Sequence, residues 1–173
     1  TDVQKKDRLI IEKAHLYKGL SEEKVKLVDQ FNTERALFTA PFEAEKKKLT
    51  DELNSIKVGL KDLENTLNAE ATNLARITDN LIERTKNTPE FEATKKSLNT
   101  LLQEDVNALQ ARYSAEAEQK NKTTQEKIDV LSALEAKFVQ DSAELEKKYN
   151  ILLEENETAY PKKAEELKIL CQQ

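Results

Sequence analysis

A chain of 173 residues with 35% charged and only 5% aromatic side chains, two glycines and three prolines lacks the turn chemistry of β-rich and Rossmann-like folds. Its net charge of −5, with Lys and Glu interspersed, gives an acidic surface that disfavours nucleic-acid phosphates. No apolar run approaches the ~20 residues of a membrane span; the longest aliphatic stretch is Leu9-Ile10-Ile11. Leu, Ile, Val and Phe make up about a quarter of the chain, above the roughly 20% below which disorder is the better reading. The chain therefore folds around a narrow seam, in the composition range of long helices and coiled coils.

In chain order, a first helix is expected over 2–18, with Gly19 as a C′ residue or a mere kink and Ser21 as the next N-cap. A second runs over 22–38. Thr39-Ala40-Pro41 is a boundary, because proline is tolerated in the first helical turn. The third helix, 41–87, carries Leu49, Leu53, Ile56, Leu60, Leu63, Leu67, Leu74, Ile77 and Leu81 at heptad spacing, a stripe that another helix must cover. Thr88 and Pro89 then act as N-cap and N1 of a fourth helix, 89–120, with Phe91, Leu98, Leu102, Leu109 and Tyr113 on one face.

From Ser114 to Lys127 there is no large apolar side chain, and Thr123-Thr124-Gln125-Glu126 reads as a capping box. A turn at 120–123 is expected, the alternative being one helix with a solvated stretch. A fifth helix, 124–159, presents Ile128, Leu131, Leu134, Phe138, Leu145, Tyr149 and Leu152, its frame shifting near Asp141 or Ser142. Pro161 ends it, leaving a short tail over 162–171. The fold expected is all-α: one elongated antiparallel coiled-coil bundle of three to five long helices spanning 1–173.

One internal echo links Phe42-Glu-Ala-Glu-Lys-Lys-Lys-Leu49 to Phe91-Glu-Ala-Thr-Lys-Lys-Ser-Leu98, each after a proline. Duplication and shared helix-opening chemistry both account for it.

Catalytic chemistry fails on inventory. Glu12 and His15 have the Glu-x-x-His spacing of di-iron bundles, but His15 is the only histidine, so one chain cannot supply the second ligand set. A triad would need the same residue as its neutral base, and no Gly-rich phosphate loop or EF-hand loop is present. Pairs such as Glu43–Lys47 and Glu144–Lys148 have the spacing of surface helix pairs. Glu70 and Arg84 interrupt the third-helix seam; they either fix register or see water where the helices diverge. Cys171 is a free exposed thiol or one half of an interchain disulfide. Asn121-Lys-Thr123 and Asn156-Glu-Thr158 are N-glycosylation triplets at expected helix ends, and they lean towards a secreted or cell-surface location.

Residues 134–152, Leu-Glu-Ala-Lys-Phe…Glu-Leu-Glu-Lys-Lys-Tyr…Leu, resemble part of the long dimerisation helix of nucleosome assembly proteins. Nothing in the chain resembles that family's β-rich histone-binding domain or acidic tail. In general character the chain is similar to the helical-bundle ectodomains of trypanosome surface proteins. The function expected is a non-enzymatic structural or protein-interaction coiled coil that meets other helical proteins or itself. No catalytic, cofactor-binding or metal residue is assigned. The alternative is an extracellular or cell-surface helical bundle of the parasite-coat or receptor-ectodomain kind, with any membrane or lipid anchor outside this chain. It begins with Thr1 rather than Met, as a processed form or a fragment would.

Overall fold

The structure, a computed structural model, describes residues 1–173. It is all-helical, with two long helices packed against each other: α1, Asp2–Arg84, and α2, Phe91–Gln172. Contacts divide the chain into two units, residues 1–45 with 133–173, and residues 46–132.

Two helices replace the expected three to five, because four expected breaks are absent. Gly19 lies inside α1 with an ordinary negative φ, and one glycine costs a helix only about 1 kcal/mol. Pro41 lies inside α1 and Pro161 inside α2. Each removes one backbone hydrogen bond, at about 3 kcal/mol, but the facing side chains stay packed. Phe38 and Phe42 on either side of Pro41 both contact Phe138, and Tyr160 beside Pro161 contacts Tyr17. Residues 120–123 do not turn. The Thr123 and Thr124 hydroxyls donate back to the carbonyls of Gln119 and Lys120, at 3.1 and 2.9 Å, so they bond within the helix rather than cap a new one.

The turn at 85–90 is present, but Thr88 closes it differently from the expected N-cap. Its Oγ1 donates to the Thr85 carbonyl at 2.7 Å, and Thr85 Oγ1 donates to the Ile82 carbonyl at 2.8 Å. The same two carbonyls also accept the backbone N–H groups of Thr85 and Thr88, each at 3.0 Å, so the hydroxyls add second bonds to a tightened final turn. At the other end, Thr1 Oγ1 accepts from the Gln4 N–H at 3.3 Å while the Thr1 ammonium donates to Gln4 Oε1 at 3.4 Å. This is a reciprocal capping box that the sequence reading did not identify.

In the first unit the segments of α1 and α2 run antiparallel. Tyr17 meets Tyr160 at 5.8 Å between ring centroids, Phe31 meets Tyr149 at 5.4 Å, and Phe38 meets Phe138 at 5.7 Å. Leu20, Leu145, Tyr149, Asn156, Ala164 and Cys171 are its buried positions. Both Asp141 and Ser142 are half-buried within the continuous α2, so the frame shift expected there changes which residues face inward without ending the helix.

In the second unit Glu52 meets Lys127 and Glu70 meets Tyr113, again antiparallel. The stripe from Leu49 to Leu74 faces inward, but Ile77 and Leu81 are 42% and 39% exposed. Thr78 is buried instead and Ile82 is half-buried. After Leu74 the inward positions advance by fours, to 78 and 82. An ideal helix drifts from a strict heptad, and four-residue steps correct that drift. The polar stretch 114–127 fills the seam with Ala117, Lys120, Thr124 and Lys127, all half-buried. Gly59 faces Lys120: a Cβ there would lie 3.4 Å from the lysine Nζ.

The echoed octapeptides differ in setting, since Phe91 opens α2 while Phe42 lies in mid-helix. Both copies place their Phe and Leu at inward positions.

Candidate interaction surface

Polar cross-links punctuate the apolar seam, and two of them share one design. In the first unit Tyr149 Oη donates to Glu34 Oε1 at 2.7 Å, and Lys148 Nζ lies 3.5 Å from the same carboxylate and 5.1 Å from the Tyr149 ring. In the second unit Tyr113 Oη donates to Glu70 Oε1 at 3.0 Å, and an Arg112 guanidinium nitrogen lies 3.3 Å from Glu70 Oε2. Arg112 also sits 4.8 Å from the Tyr113 ring centroid. Glu34 to Glu70 and Tyr113 to Tyr149 are each 36 residues apart, which is ten turns of an ideal helix. The inward apolar positions 20, 27, 31 and 38 recur at 56, 63, 67 and 74.

These contacts perturb the groups that make them. The hydrogen bond to Glu34 holds the Tyr149 phenol above its ordinary value, with burial and the carboxylate charge acting in the same direction. The bond to Tyr113 raises Arg112, with the Tyr113, Glu70 and Glu116 charges adding to it. The bond from Lys127 lowers Glu52, against a smaller opposing effect of desolvation. Each shift is accounted for by a pair of side chains in contact.

The other residues that the sequence singles out are dispersed. His15 is exposed and Glu12 half-buried, and no group of three His, Cys, Asp or Glu side chains is close enough to hold a metal ion. Arg84 is exposed at the end of α1, whereas Glu70 sits on the seam. Cys171 is buried, at 5% exposure, contrary to the exposed thiol expected; the packed helices shield it. Both glycosylation triplets lie within α2, not at helix ends. Asn121 is exposed, but Asn156 is buried and its amide donates to the Leu20 carbonyl at 3.0 Å, so its nitrogen is engaged in the folded chain. Neither expected surface pair is the partnership found: Lys47 bonds Asp51 at 2.9 Å, and Lys148 turns to Glu34.

The first unit also carries an apolar groove. Phe138 stacks on Phe42 at 4.1 Å with 6° between planes and meets Phe38 edge-on. Around these rings Leu37, Pro41 and Leu134 line a trough of about 420 Å³. A second trough of about 420 Å³ shares Leu37, Phe38 and Asp141 with it and extends towards Leu145. Leu37 is 71% exposed. Pro41 has no N–H to offer the Leu37 carbonyl, four residues back and on the same groove. Nearby, Thr39 Oγ1 is buried and makes no hydrogen bond, whereas Thr33 and Thr100 bond the carbonyl four residues before them.

Exposed apolar side chains extend beyond the groove. Val3, Ile10 and Tyr17, spaced by seven, are each more than 60% exposed, and Ile169 and Leu170 are more than half exposed. The accessible surface is 12,888 Å², against about 8,600 Å² for a typical folded monomer of 19.8 kDa. No side chain is fully buried, and no helix is long and apolar enough to cross a membrane.

Compared with models of protein families, with curated proteins and with solved structures, the chain matches none.

Proposed function

We propose that the chain is a non-enzymatic protein-interaction module whose helix pair presents apolar and charged side chains to other helical proteins. The observation that carries this reading is the exposure of Val3, Ile10, Tyr17 and Leu37, between 64% and 71%. Single exposed apolar residues are ordinary, but Val3, Ile10 and Tyr17 are spaced by seven, and residues at heptad spacing on a helix supply the anchors by which helices recognise one another.

The test is the native assembly in its source cells, purified through a tag and treated with a lysine-reactive cross-linker. Intermolecular cross-links from Lys13 and Lys18, beside Ile10 and Tyr17, are the expected result. Native material that is monomeric by light scattering and free of intermolecular cross-links would overturn the reading.

A further inference from the structure

The geometry points to the groove around Leu37 and Pro41 as the docking site of a basic amphipathic helix, an inference that rests on the interaction-module reading above. Three independent features converge there.

The first is apolar. Leu37 stands 71% exposed beside three phenylalanines, Phe42 stacked on Phe138 and Phe38 edge-on to it. The two connected troughs, about 420 Å³ each, continue the apolar floor along α1 and α2 of the first unit. A row of large side chains at i, i+3 or i+4 and i+7 on one helix face is the complement of such a trough.

The second is a backbone acceptor. With no N–H on Pro41, the Leu37 carbonyl lacks its usual helical donor, and both residues line the groove.

The third is charge. Glu34 and Lys148 on the rim pair with each other at 3.5 Å. The remaining rim charges are Glu45, Asp141 and Glu144 against Lys137 alone. The excess is negative, so a cationic helix is steered in and an anionic one repelled. A second copy of this chain, itself carrying −5, brings the wrong net charge.

The experiment uses the full chain with labelled leucine methyls and two synthetic helices of about five turns, one of Leu and Lys, the other of Leu and Glu in the same pattern. The Leu/Lys helix is expected to shift the Leu37 and Leu134 methyls saturably, and the Leu/Glu helix to bind at least about tenfold more weakly. Leu37→Ser, at an exposed position that folding does not depend on, is expected to weaken Leu/Lys binding about tenfold. The Glu45→Lys, Asp141→Lys double variant is expected to do the same through charge. The proposal is overturned by absence of binding, by equal binding of both helices, or by shifts confined to the Ile10 and Leu170 region. It is equally overturned if the Leu37 methyl shifts with protein concentration alone, since a second copy would then occupy the groove. All four results leave the interaction-module reading intact; that reading fails separately, if native material is monomeric and free of cross-links.

Discussion

The Asn156 side-chain amide donates to the backbone carbonyl of Leu20, 3.0 Å away on the facing helix, and both residues are buried. A buried amide meets its partner in only one alignment of the two helices, so it fixes register at some cost in stability. Asn156→Ala is expected to destabilise by about 1–2 kcal/mol through loss of the bond and of packed volume. Asn156→Leu is expected to keep or raise the denaturation midpoint while broadening amide signals around Leu20. Sharp, unshifted signals in the leucine variant would remove the register argument.

The Tyr149–Glu34 bond links stability to alkaline pH. The folded-state pKa of Tyr149 is raised, so its contribution is complete below the unfolded value of about 10 and is lost as pH rises through the folded value. Thermal melts are expected to fall in that window for the natural chain, and to fall less in Tyr149→Phe. Parallel melting curves for the two proteins above about pH 10 would refute the assignment.

Glu52 acts at the other end of the scale. Its folded pKa is lowered by Lys127, so the contribution is present above the unfolded value of about 4.3 and disappears as pH drops through the folded one. Glu52→Gln is expected to flatten the acid limb of the stability profile. An unchanged acid limb would show that the Lys127 contact contributes nothing in solution.

The seam after Leu74 can be read by alanine substitution. Ile82→Ala, at a half-buried position, should cost about 1–2 kcal/mol, part of the penalty for a fully buried side chain. Leu81→Ala and Ile77→Ala, at exposed positions, should stay within about 0.5 kcal/mol. The reverse ranking in denaturant titrations would restore the strict heptad frame.

Gly19→Ala should stabilise the chain by about 0.5–1 kcal/mol, because α1 passes through this position with negative φ and a Cβ there meets no atom within 4 Å. A loss of stability on this substitution would mean that the backbone breaks at residue 19 after all.

Part of this architecture was legible residue by residue. Leu49 to Leu74 announced an inward face by spacing, and Phe91, Leu98, Leu102, Leu109 and Tyr113 did the same on α2; all are buried or half-buried in the structure. Thr88-Pro89 correctly marked a turn. Thr39-Ala40-Pro41 and Tyr160-Pro161 carry nearly the same local signal and do not turn. The difference lies outside the local sequence: Phe38, Phe42 and Tyr160 each have an aromatic partner across the helix pair, and packing outweighs one missing hydrogen bond. The paired cross-links escaped notice although a signal existed. Glu34 with Glu70, and Tyr113 with Tyr149, share one spacing, but a carboxylate in a Glu-rich helix looks like any solvated residue until its partner is known. The groove left no sequence trace, since Leu37 and Pro41 are joined to Leu134 and Phe138 only by folding.

Composition and periodicity by themselves determined that the chain is helical, that its core is a narrow stripe and that no segment suits a bilayer, because these follow from side-chain chemistry and a period of 3.6 residues. Tertiary structure alone decided that there are two helices rather than five, that Asn156 is engaged rather than free, and that Ile77 and Leu81 face outward. Each of these depends on which residue of the facing helix lies opposite. A helix breaker, a polar group or a leucine has no fixed free energy until that neighbour is in place.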